Sequence, residues 1–396
     1  MKKTTFHSKE SINRSGERIN AVEQSETRSL YPSHEGEYSV EFDFSPAGFT
    51  LESGSFLNSL VVNYQTYGTM SEKKDNVIYI AHALTGGSLV GGPPPEGKEN
   101  GWWEPLVGPG KAIDTDRFFV ISSNVLGGCY GTTGPSSLSP SGKPYAMKFP
   151  VVTIRDMVRL QKVLMDYLGI KKLQAVIGGS MGGMQALEWG VTCPDMVQTL
   201  IAIACSGRMS PLGIAYNQVA RNAITRDKAW RNGDYYGKDF PYDGLSLARI
   251  IGTITYRCNR SFELKFGREF QGEADPFSFD RNFAVENYLE HQGDKITHRF
   301  DPNSYLYLSK AMDLHDLGRG YSSYREALER IRGTTYLLGI SSDILFYPQE
   351  VRGLAVELRR SGVDALYHEL DSPHGHDAFL MEFSRMEDYL KSCLES

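Results

Sequence analysis

The chain has 396 residues, a formal net charge of -6 and 23% charged residues, a balance with no basic excess for nucleic acid or an anionic membrane surface, so a small-molecule partner is expected. Its five cysteines are odd in number, scattered and without a C-x-x-C pair; neither a disulfide framework nor a zinc site is expected, and a reducing cytoplasm is the expected home. No run reaches the roughly 18 apolar residues that span a bilayer.

Taken in order, residues 1–40 open on Met1-Lys2-Lys3 without the about 7–15 apolar residues of a signal peptide, so export is not expected. Their mixed charge and few apolar groups predict a disordered or loosely attached tail. Val61–Gly68 alternates like an antiparallel strand, whereas Asn76–Ala83 is a continuous apolar run suited to a buried central strand. A Gly/Pro-dense loop, Leu84–Pro95, follows; the bland reading of His82, a strand-end histidine bonding to backbone, is preferred over a catalytic one. Arg117–Asn124 reads as a second buried strand, followed by a glycine-rich loop at 125–137 that lacks the lysine of a phosphate-binding loop. Ile154–Gly169 has apolar residues at helical spacing and a glycine stop, and Val197–Cys205 is a further strand. From Ser206 to Tyr324 only helix-like, aromatic-rich segments occur, such as Pro211–Thr225 and Leu245–Thr255. Strands resume at Thr334–Ser341 and Ala365–Leu370, and Ala378–Leu394 is the closing helix. The pattern predicts an α/β core (41–205 and 325–396) with a mainly parallel sheet flanked by helices, and an inserted helical lid domain (206–324).

The segment around which this core is organised is Leu173–Trp189, in which an apolar β-branched run stops at Gly178-Gly179-Ser180-Met181-Gly182-Gly183 and a helix-forming run begins. Strand, sharp turn and helix around Gly178-x-Ser180-x-Gly182 form the frame of a nucleophile elbow, rather than a helix start with an ordinary N-cap serine. Ser180 is then the nucleophile candidate. The backbone N–H of Met181 is one candidate oxyanion donor, and that of Leu84, in the loop after an early strand, is the second. In such α/β-hydrolase folds the acid and then the base follow at later strand ends. Asp343, just past Thr334–Ser341, suits the acid, with a turn-forming role as the alternative. Past the last strand stands Asp371-Ser372-Pro373-His374-Gly375-His376-Asp377, where either histidine could be the base.

These segments resemble the homoserine O-acetyltransferase family of α/β-hydrolase-fold acyltransferases, through His82–Gly86, Asn124–Ser137, Phe149–Met157, Gly178–Trp189, Asn303–Asp313 and Gly375–Leu380. The resemblance runs from about residue 40 to the C-terminus. It implies Ser180 as nucleophile, His376 rather than His374 as base, and Asp343 as acid. It further implies that Arg249 and Asp377 hold the acceptor, with Tyr256 as a nearby pocket residue. Their chemistry fits: an amino-acid acceptor carries a carboxylate, matched by the arginine fork, and an ammonium, matched by an aspartate. Read without the resemblance, Asp377 would be a helix N-cap and Arg249 a surface ion-pair residue. The implied reaction is acetyl transfer from acetyl-CoA to L-homoserine in methionine biosynthesis, with no metal or bound cofactor and with a homodimer formed through lid helices. The sequence departs from the family at Gly87-Ser88-Leu89, where members carry an aspartate or serine and then a histidine. That loop borders the acyl site, so succinyl-CoA as donor or serine as acceptor stands as the alternative, with an esterase or thioesterase behind it.

Overall fold

The structure is a computed structural model and describes residues 11–12, 18–23, 36–92, 100–271, 277–279 and 282–395. Among these, a ten-stranded sheet carries the molecule. Two of its strands, Ser11–Ile12 and Arg18–Glu23, stand at one edge. The others are β1 (Gly36–Asp43), β2 (Ser59–Tyr67), β3 (Val77–Ala81), β4 (Phe119–Ser123), β5 (Leu173–Gly179), β6 (Val197–Ile203), β7 (Thr334–Ile340) and β8 (Ala365–Leu370). Their spatial order is β1-β2-β4-β3-β5-β6-β7-β8. β1 runs antiparallel to β2 and β2 antiparallel to β4, whereas every neighbouring pair from β4 to β8 is parallel.

The central strands are apolar without a break because both faces are covered. Val77, Tyr79 and Ala81 of β3 enter one core with α1 (Ile154–Tyr167) and α2 (Met181–Thr192). Ile78 and Ile80 enter the other, with Ile177, Ile203, Phe379, Met386 and Leu390. The helix α1 starts where the sequence expects it, because Thr153 and Asp156 form a reciprocal capping box.

Between β6 and β7 the described chain is helical: α3 (Pro211–Arg226), α4 (Tyr242–Thr255), α5 (Asn259–Phe266), α6 (Ala284–Thr297), α7 (Pro302–Asp313) and the short α8 (Tyr324–Leu328). Ser210 and Asp301 cap α3 and α7 by accepting from Gly213 N and Ser304 N, each with proline in the first turn. α7 fastens this layer to the sheet: Tyr305, Leu306, Leu308 and Met312 share a core with Val125, Leu126 and Phe149. After β7 come α9 (Pro348–Arg360), β8 and α10 (Phe383–Leu394).

Two boundaries differ from expectation. Most of the tail expected over residues 1–40 lies outside the described residues, but Ser11–Ile12 and Arg18–Glu23 are strands of the sheet and Gly36–Val40 belongs to β1, paired along β2 with Val40 and Phe42 buried. Only alternate residues of the second half of β1 point inward, so its polar first half carries little hydrophobic signal. The closing helix begins at Phe383, not Ala378, because Gly375–Leu380 forms a separate 3-10 turn. That turn is tied to the lid by Asp377 N donating to Tyr256 O at 3.1 Å.

Candidate active site

Ser180 sits between β5 and α2 at φ 58°, ψ −125°, a conformation that costs a non-glycine residue on the order of 1–3 kcal/mol and persists only where its surroundings enforce it. Here the surroundings are glycines. A Cβ on Gly178 would lie 2.2 Å from Gly182 O, and one on Gly182 would lie 2.2 Å from Ala81 O. The helix start is thereby pressed against the ends of β5 and β3. Ser180 N donates to Ile203 O at 2.9 Å, and the hydroxyl makes no capping bond to α2. The ordinary N-cap role is therefore absent, and the hydroxyl is left for another partner.

Asp343 follows β7 by three residues and is 2% exposed. Its Oδ1 accepts from Leu345 N at 2.8 Å and Phe346 N at 3.0 Å, while Oδ2 faces His376 Nδ1 at 2.7 Å. The turn-forming and acid-like roles are thus filled by different oxygens of one carboxylate. His376 is buried among the rings of Tyr256, Phe346 and Phe379, at 5.9, 5.4 and 5.6 Å between centroids. Among the described residues its Nε2, which is buried, has no hydrogen-bond partner. Burial disfavours the charged imidazolium, but the charge and hydrogen bond of Asp343, helped by Asp377, prevail and raise the pKa. His374 is the more exposed histidine and lies 3.9 Å from the Glu382 carboxylate. The geometry therefore singles out His376.

Ser180 and His376 line a cavity of about 1210 Å³ together with Leu84, Arg249, Tyr256 and Asp377. Leu84 occupies a turn in which Gly86 N donates to Ala83 O at 3.0 Å; in such a turn the second residue's N–H takes no part in the closing bond. Met181 opens α2 with its side chain in the core, so only its backbone can serve the site. Arg249 projects from α4 with its guanidinium 5.8 Å from the Tyr256 ring. Asp377 pairs with Arg257 at 3.4 Å. Burial pushes the Asp377 carboxyl up, against the lowering pull of Arg257, His376 and Arg249. His82 has the structural role expected of it. Val125 N donates to its Nε2 at 3.1 Å, so Nδ1 carries the proton and donates to Ala83 O at 2.8 Å, and burial lowers its pKa to about 4.

The α/β-hydrolase fold family matches residues 76–382. A homoserine O-acetyltransferase of Carboxydothermus hydrogenoformans is 51% identical over 350 residues, which cover 87% of this chain and 92% of that protein. The chain belongs to the homoserine O-acetyltransferase family. Among solved structures, a homoserine O-acetyltransferase from Bacillus anthracis superposes with a TM-score of 0.85 at 30% identity, covering 92% of this chain and 98% of that one. Esterase E22 superposes with a TM-score of 0.83 at 31% identity, covering 91% and 100%.

In this homoserine O-acetyltransferase family member two residues of the site were not legible as such. Gln185 donates from Nε2 to His82 O and to Met181 O, both at 3.1 Å, joining the chain that leads into the Leu84 turn to the start of α2, where Met181 stands. The signal was present: Gln185 is a polar residue on a helix buried on all sides, and such a residue must find partners. Arg257, the cation beside Asp377, had no signal, because it lies just past α4 where no periodicity distinguishes it.

Proposed function

We propose that the enzyme moves the acetyl group of acetyl-CoA to the side-chain hydroxyl of L-homoserine by a ping-pong route through acyl-Ser180. The observation that carries this reading is the convergence on one cavity of Ser180 and the Asp343-held His376 with a cation, Arg249, and an anion, Asp377. His376 takes the Ser180 proton as Oγ attacks the thioester carbonyl. Asp343 stabilises the imidazolium so formed. The tetrahedral oxyanion is received by the N–H groups of Leu84 and Met181, each such donor lowering the barrier by roughly 3 kcal/mol. The thioester C–S bond then breaks and the CoA sulfur leaves with the proton held by His376. In the second half, His376 deprotonates the homoserine hydroxyl, which attacks acyl-Ser180; the serine oxygen departs and recovers its proton. Arg249 pairs with the acceptor's carboxylate and Asp377 with its ammonium, while Tyr256 walls the pocket beside His376.

The product, O-acetyl-L-homoserine, belongs to methionine biosynthesis, and this chemistry calls for acetyl-CoA as co-substrate with no resident cofactor. Among the described residues no helix is long and apolar enough to cross a membrane; we assign the reaction to the cytoplasm, where acetyl-CoA is available. A homodimer through the lid is supported by exposed Leu212 and Val219 on α3 and Leu247 and Ile254 on α4. The likeness to an esterase favours one second reading, in which water resolves acyl-Ser180. Water needs neither Arg249 nor Asp377, which is why transfer is the first reading.

The test is CoA release from acetyl-CoA or succinyl-CoA with L-homoserine, L-serine or no acceptor, with the ester identified by mass. Release that requires acetyl-CoA and homoserine and vanishes in Ser180→Ala is the expected result. Equal release without an acceptor would turn the assignment to a hydrolase. Preference for succinyl-CoA or serine would keep the mechanism and change the substrates.

A further inference from the structure

The turn Ala83–Gly86 that presents Leu84 is held at both ends, from different parts of the molecule. At its start, Ala83 O accepts from Gly86 N at 3.0 Å and from His82 Nδ1 at 2.8 Å. The C=O and N–H of a trans peptide point in opposite directions, so two bonds at Ala83 O also orient the Leu84 N–H of the same peptide plane. Gln185 secures His82 from α2. These supports all come from the sheet and the elbow.

At its other end the support comes from the lid. Arg299 Nη1 donates to Thr85 O at 2.8 Å and to the Tyr130 hydroxyl at 3.0 Å, and Nη2 lies 3.5 Å from Thr85 Oγ1. Arg299 stands in the short connection between α6 and α7, and it lines the cavity beside Thr85 and Tyr130. The connection itself is firmly seated. Phe300 is buried, edge-on to Tyr130 at 5.9 Å and to Tyr305 at 6.5 Å, and its N–H donates to Ile296 O. A planar guanidinium holds its donors in a fixed fork and so meets these acceptors in one geometry, which a flexible ammonium reproduces only in part.

We propose that Arg299 is a positioning residue that clamps the Thr85 end of the oxyanion turn to the lid, so that Leu84 N–H is aimed correctly only while the α6–α7 connection is in place. This rests on the acyl-transfer reading above, in which Leu84 is an oxyanion donor. It makes assembly of the oxyanion hole depend on the lid as well as on the sheet. It also distinguishes Arg299 from Arg249: the first acts on the enzyme's own backbone, the second on the acceptor.

The competing role for a cavity-lining arginine is direct contact with the phosphates of CoA, and two donors separate the roles. Acylation of Ser180 in Arg299→Gln, Arg299→Lys, Arg299→Ala and Tyr130→Phe is followed with acetyl-CoA, which is anionic, and with p-nitrophenyl acetate, which is not. Positioning predicts that Arg299→Gln loses about 10–100-fold in kcat with both donors, short of or equal to the loss of one oxyanion donor, with KM changed less than about 3-fold. Affinity for ethylboronic acid, which forms a tetrahedral adduct with a reactive serine, falls by the same factor as kcat. Arg299→Lys recovers part of the rate, Tyr130→Phe loses about 2–5-fold, and millimolar guanidinium restores part of the rate to Arg299→Ala. A defect confined to KM for acetyl-CoA, with p-nitrophenyl acetate unaffected, would overturn the proposal in favour of a phosphate contact. Unchanged kinetics with both donors would overturn it outright. Melting temperatures within a few degrees of the parent identify the variants that are compared, and Tyr130→Phe leaves the guanidinium in place if Arg299→Gln does not fold. Failure of the parent enzyme to form acyl-Ser180 with either donor would instead sink the acyl-transfer reading, and this one with it.

Discussion

His376 Nδ1 and Asp343 Oδ2 lie 2.7 Å apart in a pocket where both side chains are buried. Because Asp343 Oδ1 is independently anchored by Leu345 N and Phe346 N, Asp343→Asn keeps one oxygen's contacts and removes the charge behind the imidazole. The expected result is a soluble protein with kcat reduced about 10⁴-fold, as for a triad whose histidine is left in the wrong tautomer. Steady-state kinetics beside a melting curve tests this; a loss of under tenfold would remove Asp343 from the mechanism.

The same pair sets the pH profile. His376 acts as a base only when neutral, and its pKa stands above the ordinary 6.5: burial is the largest single influence and lowers it, but the charge and hydrogen bond of Asp343, together with the charge of Asp377, outweigh burial. The rate of Ser180 acylation should therefore be flat at alkaline pH and fall tenfold per unit below that raised value. In Asp343→Asn only the burial effect and the weaker influence of Asp377 remain, so the acid limb should move to lower pH. A limb that stays in place would mean that another group controls it.

Acceptor binding should separate from acylation. Arg249→Gln removes the fork offered to a carboxylate, a charge-assisted interaction of about 1.5–3 kcal/mol, so KM for homoserine should rise about 10–150-fold. Asp377→Asn should act in the same direction. Pre-steady-state CoA release without acceptor should change less than about 3-fold in both, and more of the acyl-enzyme should be lost to water.

Two glycine-to-alanine changes should have opposite signs. Gly182→Ala drives a Cβ into the Ala81 carbonyl at 2.2 Å, with backbone on both sides unable to yield, and should cost at least about 3 kcal/mol or prevent soluble expression. Gly353→Ala lies within α9, where none of the described residues comes within 4 Å of the added Cβ. There the methyl group should stabilise by about 0.5–1 kcal/mol, because glycine is the poorer helix former. Urea denaturation of the two proteins tests both signs.

Arg155 binds Glu188 at 2.6 Å and Glu52 at 3.0 Å, joining α1 to α2 and to the chain between β1 and β2. Glu188 is almost fully buried, so Arg155→Ala strands its charge, and a loss of about 3–5 kcal/mol is expected with an unchanged denaturant slope. The exposed Arg332–Asp195 pair is the control: Arg332→Ala should cost about 1 kcal/mol or less. Equal effects would refute the distinction.

Much of this molecule is legible in its amino-acid order because the information is local. Apolar runs such as Val77–Ala81, the helical spacing of Ile154–Tyr167 and the glycines around Ser180 specify elements whose partners need not be known. Asp343 could be placed for the same reason, since the end of a strand is a local feature. Which histidine faces Asp343 is not local. His374 and His376 stand two residues apart in one loop, and the choice is made by the contacts of Gly375–Asp377 with the end of α4; the resemblance to a family anticipated it, the residue pattern did not. Gln185, Arg257 and Arg299 act on groups distant in the chain, Arg299 on a carbonyl 214 positions away. Local patterning specified the strand–helix alternation, the elbow and the chemical types available. Which buried donor meets which acceptor was settled in three dimensions, because a buried polar group must be satisfied by whatever the fold brings to it, from any distance along the chain.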